Sequence, residues 1–201
     1  MRFGIAFLAV SLSLLAQKDV AFSDDFNSDQ VDLSRWIPHD PWASAITPRV
    51  AAMSGGELHL KAGQVMTTFG LFAQTYGRFE IRFRLPDSAG EAHLQLLPAQ
   101  LGTLPMVDVM RIENGRVFFG NRWGDTRTER SFGDSFDLAA GAHTVALEWS
   151  PDKMRWLLDG KAKIESIDGV PGQPMFLHLE GAMDVDYVRV LAPRVTAPKL
   201  N

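Results

Sequence analysis

Hydrophobic and polar residues alternate with a period of two through much of this chain. From Arg78 to Leu85 the alternation is unbroken and puts Phe79, Ile81, Phe83 and Leu85 on one face; Pro86 then ends the run, since proline has no N–H to give to a ladder. The same pattern predicts strands at Glu57–Lys61 and Thr144–Trp149 and, less regularly, at Met154–Leu158 and Val185–Val190. Turn sequences separate these runs: Ser54-Gly55-Gly56, Asp87-Ser88-Ala89-Gly90, Glu113-Asn114-Gly115, Pro151-Asp152-Lys153 and Asp159-Gly160. Short strands in series, with no long amphipathic helical pattern, predict an all-β sandwich or barrel.

Composition narrows the class. A chain of 201 residues that is 46% hydrophobic can bury one sizeable core. The net charge is −4 and the basic residues are scattered, so nothing resembles a nucleic-acid-binding surface. With no cysteine there are neither disulfides nor thiolate metal sites. Arg2 followed by the uncharged apolar stretch Phe3–Ala16 reads as an export signal, although Leu14 stands where a small residue is preferred before cleavage. The expected organisation is a signal over 1–16, a single β domain over 17–195 and a frayed tail over 196–201. Such a product is secreted or periplasmic, with no membrane association once the signal is removed.

Four segments, in order, carry a family resemblance. They are Phe22-Ser23-Asp24-Asp25-Phe26 with Val31–Trp36; Tyr76-Gly77-Arg78-Phe79-Glu80-Ile81-Arg82 running to Leu85-Pro86; His143–Asp152 with Asp159-Gly160; and Asp186-Tyr187-Val188-Arg189-Val190. Together they resemble the laminarinase-like members of glycoside hydrolase family 16. The resemblance implies a concanavalin A-like β-sandwich (jelly roll) of two antiparallel sheets with a concave glycan cleft. Most of these positions read as architecture: Trp36, Trp149 and Phe79 as core aromatics, Glu80, Arg82, Arg84 and Glu148 as solvated strand faces or cross-strand pairs, and His143 as a hydrogen-bonded structural residue.

The family resemblance also implies a catalytic strand of the form ExDxxE or ExDxE, whose first Glu is the nucleophile and last Glu the acid/base of a retaining glycosidase. That chemistry needs two carboxyl groups about 5–5.5 Å apart over one cleft. The corresponding stretch here is Met106-Val107-Asp108-Val109-Met110-Arg111, followed by Ile112-Glu113. Val107 and Val109 share a face, and the next core-like residue is Ile112, a slip that a one-residue bulge at Met110 would produce. With the bulge, Met106, Asp108, Arg111 and Glu113 project together into the cleft. The nucleophile position then holds a thioether and the acid/base position a guanidinium, which cannot act as an acid near neutrality. Asp108 is expected to pair with Arg111.

The cleft wall departs from the family pattern as well. In Gly90-Glu91-Ala92-His93-Leu94-Gln95-Leu96-Leu97-Pro98, Glu91 and Gln95 stand where family members carry sugar-stacking tryptophans, and Glu91, His93 and Gln95 share one face. The remaining aromatic candidates are Trp42 and Trp123, the latter in Asn121-Arg122-Trp123-Gly124, which resembles a family strand, with a stacking and an ordinary packing role equally open. The expected glycan-contacting set is therefore Trp123, Asp108, Arg111, His93 and Gln95, with Asp108, Glu113 and Glu91 as the carboxylates available to any displaced hydrolytic mechanism. There is no phosphate-binding Gly-rich loop, His-x-x-x-His pair or Gly-x-Ser-x-Gly elbow, and no cofactor is expected. A structural cation, as some relatives bind, has Asp24, Asp25 and the Asp184–Asp186 region as candidates. The expectation is a polysaccharide-recognising protein (β-glucan or galactan type) without hydrolytic activity. The alternatives are an active glycosyl hydrolase or transglycosylase using the displaced carboxylates, and a structural or protein-binding sandwich with a closed cleft.

Overall fold

A computed structural model describes residues 20–42, 50–86, 90–100, 102–124, 128–134 and 141–193. The expected export signal and tail lie outside the described residues. The described chain is all-β, in two antiparallel sheets. One sheet runs β12 (Lys161–Ser166), β11 (Met154–Leu158), β10 (Ala142–Trp149), β5 (Gly77–Arg84), β14 (Met183–Leu191), β3 (Glu57–Leu60) and β2 (Ala52–Ser54), with β1 (Val20–Asp24) also pairing to β14. The other runs β4 (Val65–Thr67), β13 (Met175–Gly181), β6 (Ala92–Pro98), β7 (Met106–Glu113), β8 (Arg116–Trp123) and β9 (Thr128–Asp134).

The alternation in the sequence becomes the core. Phe79, Ile81 and Phe83 of β5 are fully buried with Val145 and Leu147 of β10, in one cluster with Leu94 and Leu96 of β6, Val107 of β7 and Phe119 of β8. Each such side chain contributes about 1.5–3 kcal/mol on burial. The polar positions of β5 face outward and form ion pairs: Arg78 with Glu80 along the strand at 2.6 Å and, across strands, Arg78 with Glu148 at 2.8 Å, Arg82 with Asp186 at 2.8 Å, and Arg84 with Glu57 at 3.4 Å. Trp36 and Trp149 are buried in the core as expected, and His143 Nδ1 lies 3.0 Å from Asp159 Oδ2.

Two local features fix the strand that matters most. Asn114 and Gly115 both have positive φ (52° and 70°), closing β7 onto β8 through a two-residue turn of the kind that matches strand twist. That turn sets Glu113 opposite Arg116 and Arg111 opposite Phe118. Between Arg111 and Asp108 the register then shifts, so Val109 and Met110 together span one step of β8 before Asp108 meets Gly120. This is the expected bulge, and both of its residues are fully buried. A bulge takes backbone groups out of the ladder. Here the Asp108 carbonyl accepts the indole N–H of Trp156 at 2.9 Å, a bond from β11 of the opposite sheet through the core.

Candidate functional site

The bulge aims Met106, Asp108, Arg111 and Glu113 at the outward face of the six-stranded sheet, and their contacts confirm the shared side. Asp108, 4% exposed, accepts a hydrogen bond from Gln95 Nε2 at 2.8 Å. The same amide nitrogen lies 3.4 Å from the Met106 sulfur, on which the Arg122 guanidinium also closes. Arg111 sits between two carboxylates: its Nε is 3.5 Å from Asp108 Oδ2, and its Nη1 donates to Glu113 Oε2. The guanidinium lies over the Phe118 ring at 4.7 Å from the centroid, and Nη2 reaches Ser131 Oγ at 3.5 Å. Asp108 pairs with Arg111 as the sequence suggested.

Beside this strand, β6 and β13 carry a second polar group. Register pairs His178 with Gln95 and Glu180 with His93. One carboxylate oxygen, Glu180 Oε2, lies 3.5 Å from His178 Nε2 and 3.7 Å from His93 Nδ1. Hydrogen bonding to His178 and then to His93 holds the Glu180 carboxyl far below the usual carboxylate range. Its hydrogen bond in turn raises His93, against the lowering effect of burial, with the charges of Glu180, Asp108 and Glu91 adding to the rise. Glu91 does not reach Asp108's hydrogen-bonded group. It lines a recess of about 310 Å³ with His93, Glu180, Ala62, Gly63 and Gly181.

Trp123 is the correction. No irregularity interrupts β8, so Trp123 keeps the parity of Val117, Phe119 and Asn121, the side opposite Phe118 and Arg122. Its ring covers Gly169, where an added Cβ would come within 2.0 Å of Trp123 Cδ2. It packs on the loop after β12 and does not join the Asp108 group. The aromatic surface on the site face is Trp42: it stacks on Phe176 at 5.7 Å and 29°, and Phe69 meets Phe176 edge-on at 5.1 Å. Phe176 shares the parity of His178 and Glu180, the site side of β13. The sequence does not single out His178 and Glu180, because Met175-Phe176-Leu177 is apolar on both faces and hides the alternation; the polar step His178-x-Glu180 was the available signal.

Among the candidate carboxylates for a family-type structural cation, Asp24, Asp25 and Asp186 are engaged within the protein. Asp24 accepts from the Phe26 backbone N–H and from Trp36 Nε1 at 2.9 and 2.8 Å. Asp25 pairs with Arg189 at 3.2 Å, and Asp186 with Arg82 at 2.8 Å. Each of these three is taken by a protein donor.

Comparison with known proteins settles the class. The sequence profile of Glycosyl hydrolases family 16 matches residues 43–179. The chain belongs to glycosyl hydrolase family 16. Within that family it is similar to endo-1,3-1,4-beta-glycanase ExsH of Rhizobium meliloti (strain 1021), 27% identical over 149 residues, covering 62% of this chain and 32% of the relative. It is also similar to a glucan endo-1,3-beta-glucosidase of Cryptopygus antarcticus, 35% identical over 104 residues, covering 42% of this chain and 37% of the relative. The matches thus span about a third of these curated relatives' length. In structure the family 16 chain superposes on the laminarinase catalytic domain of Thermotoga maritima MSB8 with a TM-score of 0.73, at 19% identity and over 88% of this chain and 98% of that one. At that identity the likeness shows the jelly-roll fold.

Proposed function

We propose that this family 16 protein binds a β-glucan-type polysaccharide on the outward face of its six-stranded sheet without hydrolysing it, and that it does so outside the cytoplasm. The observation that carries the reading is the occupancy of the catalytic strand: Met106 and Arg111 flank Asp108, and the Arg111 guanidinium lies between Asp108 and Glu113. Retaining hydrolysis needs one carboxylate to attack the sugar and one carboxylic acid to protonate the leaving oxygen. A thioether supplies neither group, and a guanidinium cannot donate its proton near neutral pH. The displaced pair Asp108 and Glu113 has Arg111 filling the space that a leaving group and a water would enter.

Glycan binding is supported by the platform and the polar groups beside it. Trp42, half-buried on Phe176, offers a flat aromatic surface of the kind that stacks on sugar rings. His93, Gln95, Glu180 and Arg111 supply hydroxyl-directed donors and acceptors along the same face. The β-glucan class follows the relatives, whose names describe beta-glycanase and glucan endo-1,3-beta-glucosidase activities.

The test has two arms. Purified protein incubated with laminarin and lichenan should release no reducing sugar above a buffer control; steady release that stops in Asp108→Asn or Glu113→Gln would overturn the reading in favour of a displaced mechanism. Affinity electrophoresis through the same glucans should retard the protein, and Trp42→Ala should remove most of that retardation. Absence of retardation with every glucan would favour a closed-cleft protein, for which the near-complete burial of Asp108 is the motivating observation.

A further inference from the structure

We propose that Glu57, His59 and Asp184 form a binding site for a divalent transition metal such as Zn²⁺, on the face of the eight-stranded sheet turned away from the core. The inference does not depend on the glycan reading, since these residues lie on the other sheet.

The three side chains come from two hydrogen-bonded strands of a rigid sheet. His59 and Asp184 are directly opposite in the β3–β14 register, and Glu57 lies two residues before His59, on the same side. Leu58, Leu60, Met183 and Val185, which alternate with them, are buried in the core and fix the strands in place. One ligand atom from each of the three residues lies within 4.8 Å of the other two. Metal–ligand bonds of about 2.0–2.2 Å in a tetrahedral site put ligand atoms about 3.4 Å apart, so side-chain torsions alone can close the set.

The donor types select the metal. Two carboxylates and an imidazole suit a borderline ion, whereas calcium and magnesium favour oxygen alone. The site is also partly desolvated, with side-chain exposures of 29% for His59, 24% for Asp184 and 21% for Glu57.

The His59 ring is held in place from both sides. Its Nε2 lies 2.8 Å from Ser54 Oγ and 3.2 Å from the Ser54 carbonyl, while its Nδ1 faces Asp184 Oδ1 at 2.7 Å. Without a metal, Nδ1–H donates to Asp184; a metal would take the place of that proton as Nε2–H turns to the Ser54 carbonyl, the outer hydrogen bond that ligating histidines typically make. Arg84 is the competing cation, 3.4 Å from Glu57 Oε1. Its side chain is half exposed and can swing into solvent when a metal takes the carboxylate. Solvent would complete the coordination.

The experiment uses the full chain, stripped with a chelator and titrated with Zn²⁺ near neutral pH by calorimetry, with thermal melting in parallel. Saturable binding and a higher melting temperature are expected. His59→Ala and Asp184→Asn should each weaken binding by about tenfold or more, given that even outer hydrogen-bond partners are worth 10–100-fold. Asp186→Asn, two residues along and paired with Arg82, should leave the affinity unchanged. Zn²⁺ should move the imidazole NMR signals of His59 in the unaltered protein, a readout that survives if a variant fails to fold. No heat and no melting shift with Zn²⁺, equal affinity in His59→Ala, preference for Ca²⁺, or ring shifts at His93 or His178 in place of His59 would each overturn the assignment.

Discussion

Arg111 holds Asp108 and Glu113 together, and its removal should be felt as stability. Asp108 is almost wholly buried and would keep only Gln95 as a partner. Breaking a buried pair costs about 3–5 kcal/mol; Arg111, one fifth exposed, calls for a smaller figure, so Arg111→Ala should lose about 1–3 kcal/mol in urea unfolding. Glu180 and His93 give a pH signature. His93's raised pKa contributes stability that is complete below its ordinary value of 6.5 and is lost as pH rises through the higher folded value. Glu180's depressed pKa contributes stability that is complete above 4.5 and is lost as pH falls through the lower folded value. The group is therefore most stabilising between about pH 4.5 and 6.5. In Glu180→Gln the His93 pKa should drop, and NMR titration of the imidazole checks it; an unchanged titration would rule out Glu180 as the cause. At this scale the sequence placed Asp108, Arg111 and Gln95 toward one face, where they contact one another, because each has a definite position in a period-two pattern. For Trp123, left open between stacking and packing, the same pattern already favoured packing through its parity with Val117 and Phe119.

The bulge in β7 is the element on which the site depends. It was legible because Val107, Val109 and Ile112 break step by one residue, and the Asn114-Gly115 turn anchors the register beyond it. What the sequence could not supply is the partner of the freed carbonyl, since Trp156 lies 48 residues from Asp108 and in the other sheet. Trp156→Phe removes the donor and shrinks the fully buried ring, leaving an unpaired acceptor beside a small cavity; it should cost at least about 1–3 kcal/mol, measurable as a lower urea midpoint with unchanged slope. Gly169→Ala tests the loop under Trp123: its φ of +58° and the 2.0 Å approach to the ring leave no room for a methyl. It should destabilise by about 1–3 kcal/mol through backbone strain and overpacking, while leaving glycan retardation intact because Trp123 lies off the site face.

For the whole molecule, two sheets share one apolar cluster, and the Trp156–Asp108 bond ties them through it. Unfolding of the described sandwich should then be a single transition, with tryptophan fluorescence and far-ultraviolet circular dichroism giving the same midpoint; separate midpoints would mean that one sheet survives the other. The all-β class and the family were readable at this scale because the alternating segments extend along most of the chain. The pairing of β6 with β13 was not, since it joins residues far apart in sequence with no turn between them. The Arg111 clasp has a consequence for any route back to cleavage. A lone exchange of Arg111 for glutamate would crowd three acids at 108, 111 and 113 and remove the cation that lies between them, whereas a lone exchange at Met106 would set an acid against the Arg122 guanidinium and leave Asp108 clasped as before. Under the proposed reading, neither single exchange restores the pair of acids, and the one at 111 costs folding before it yields turnover, so the inert state works as a ratchet.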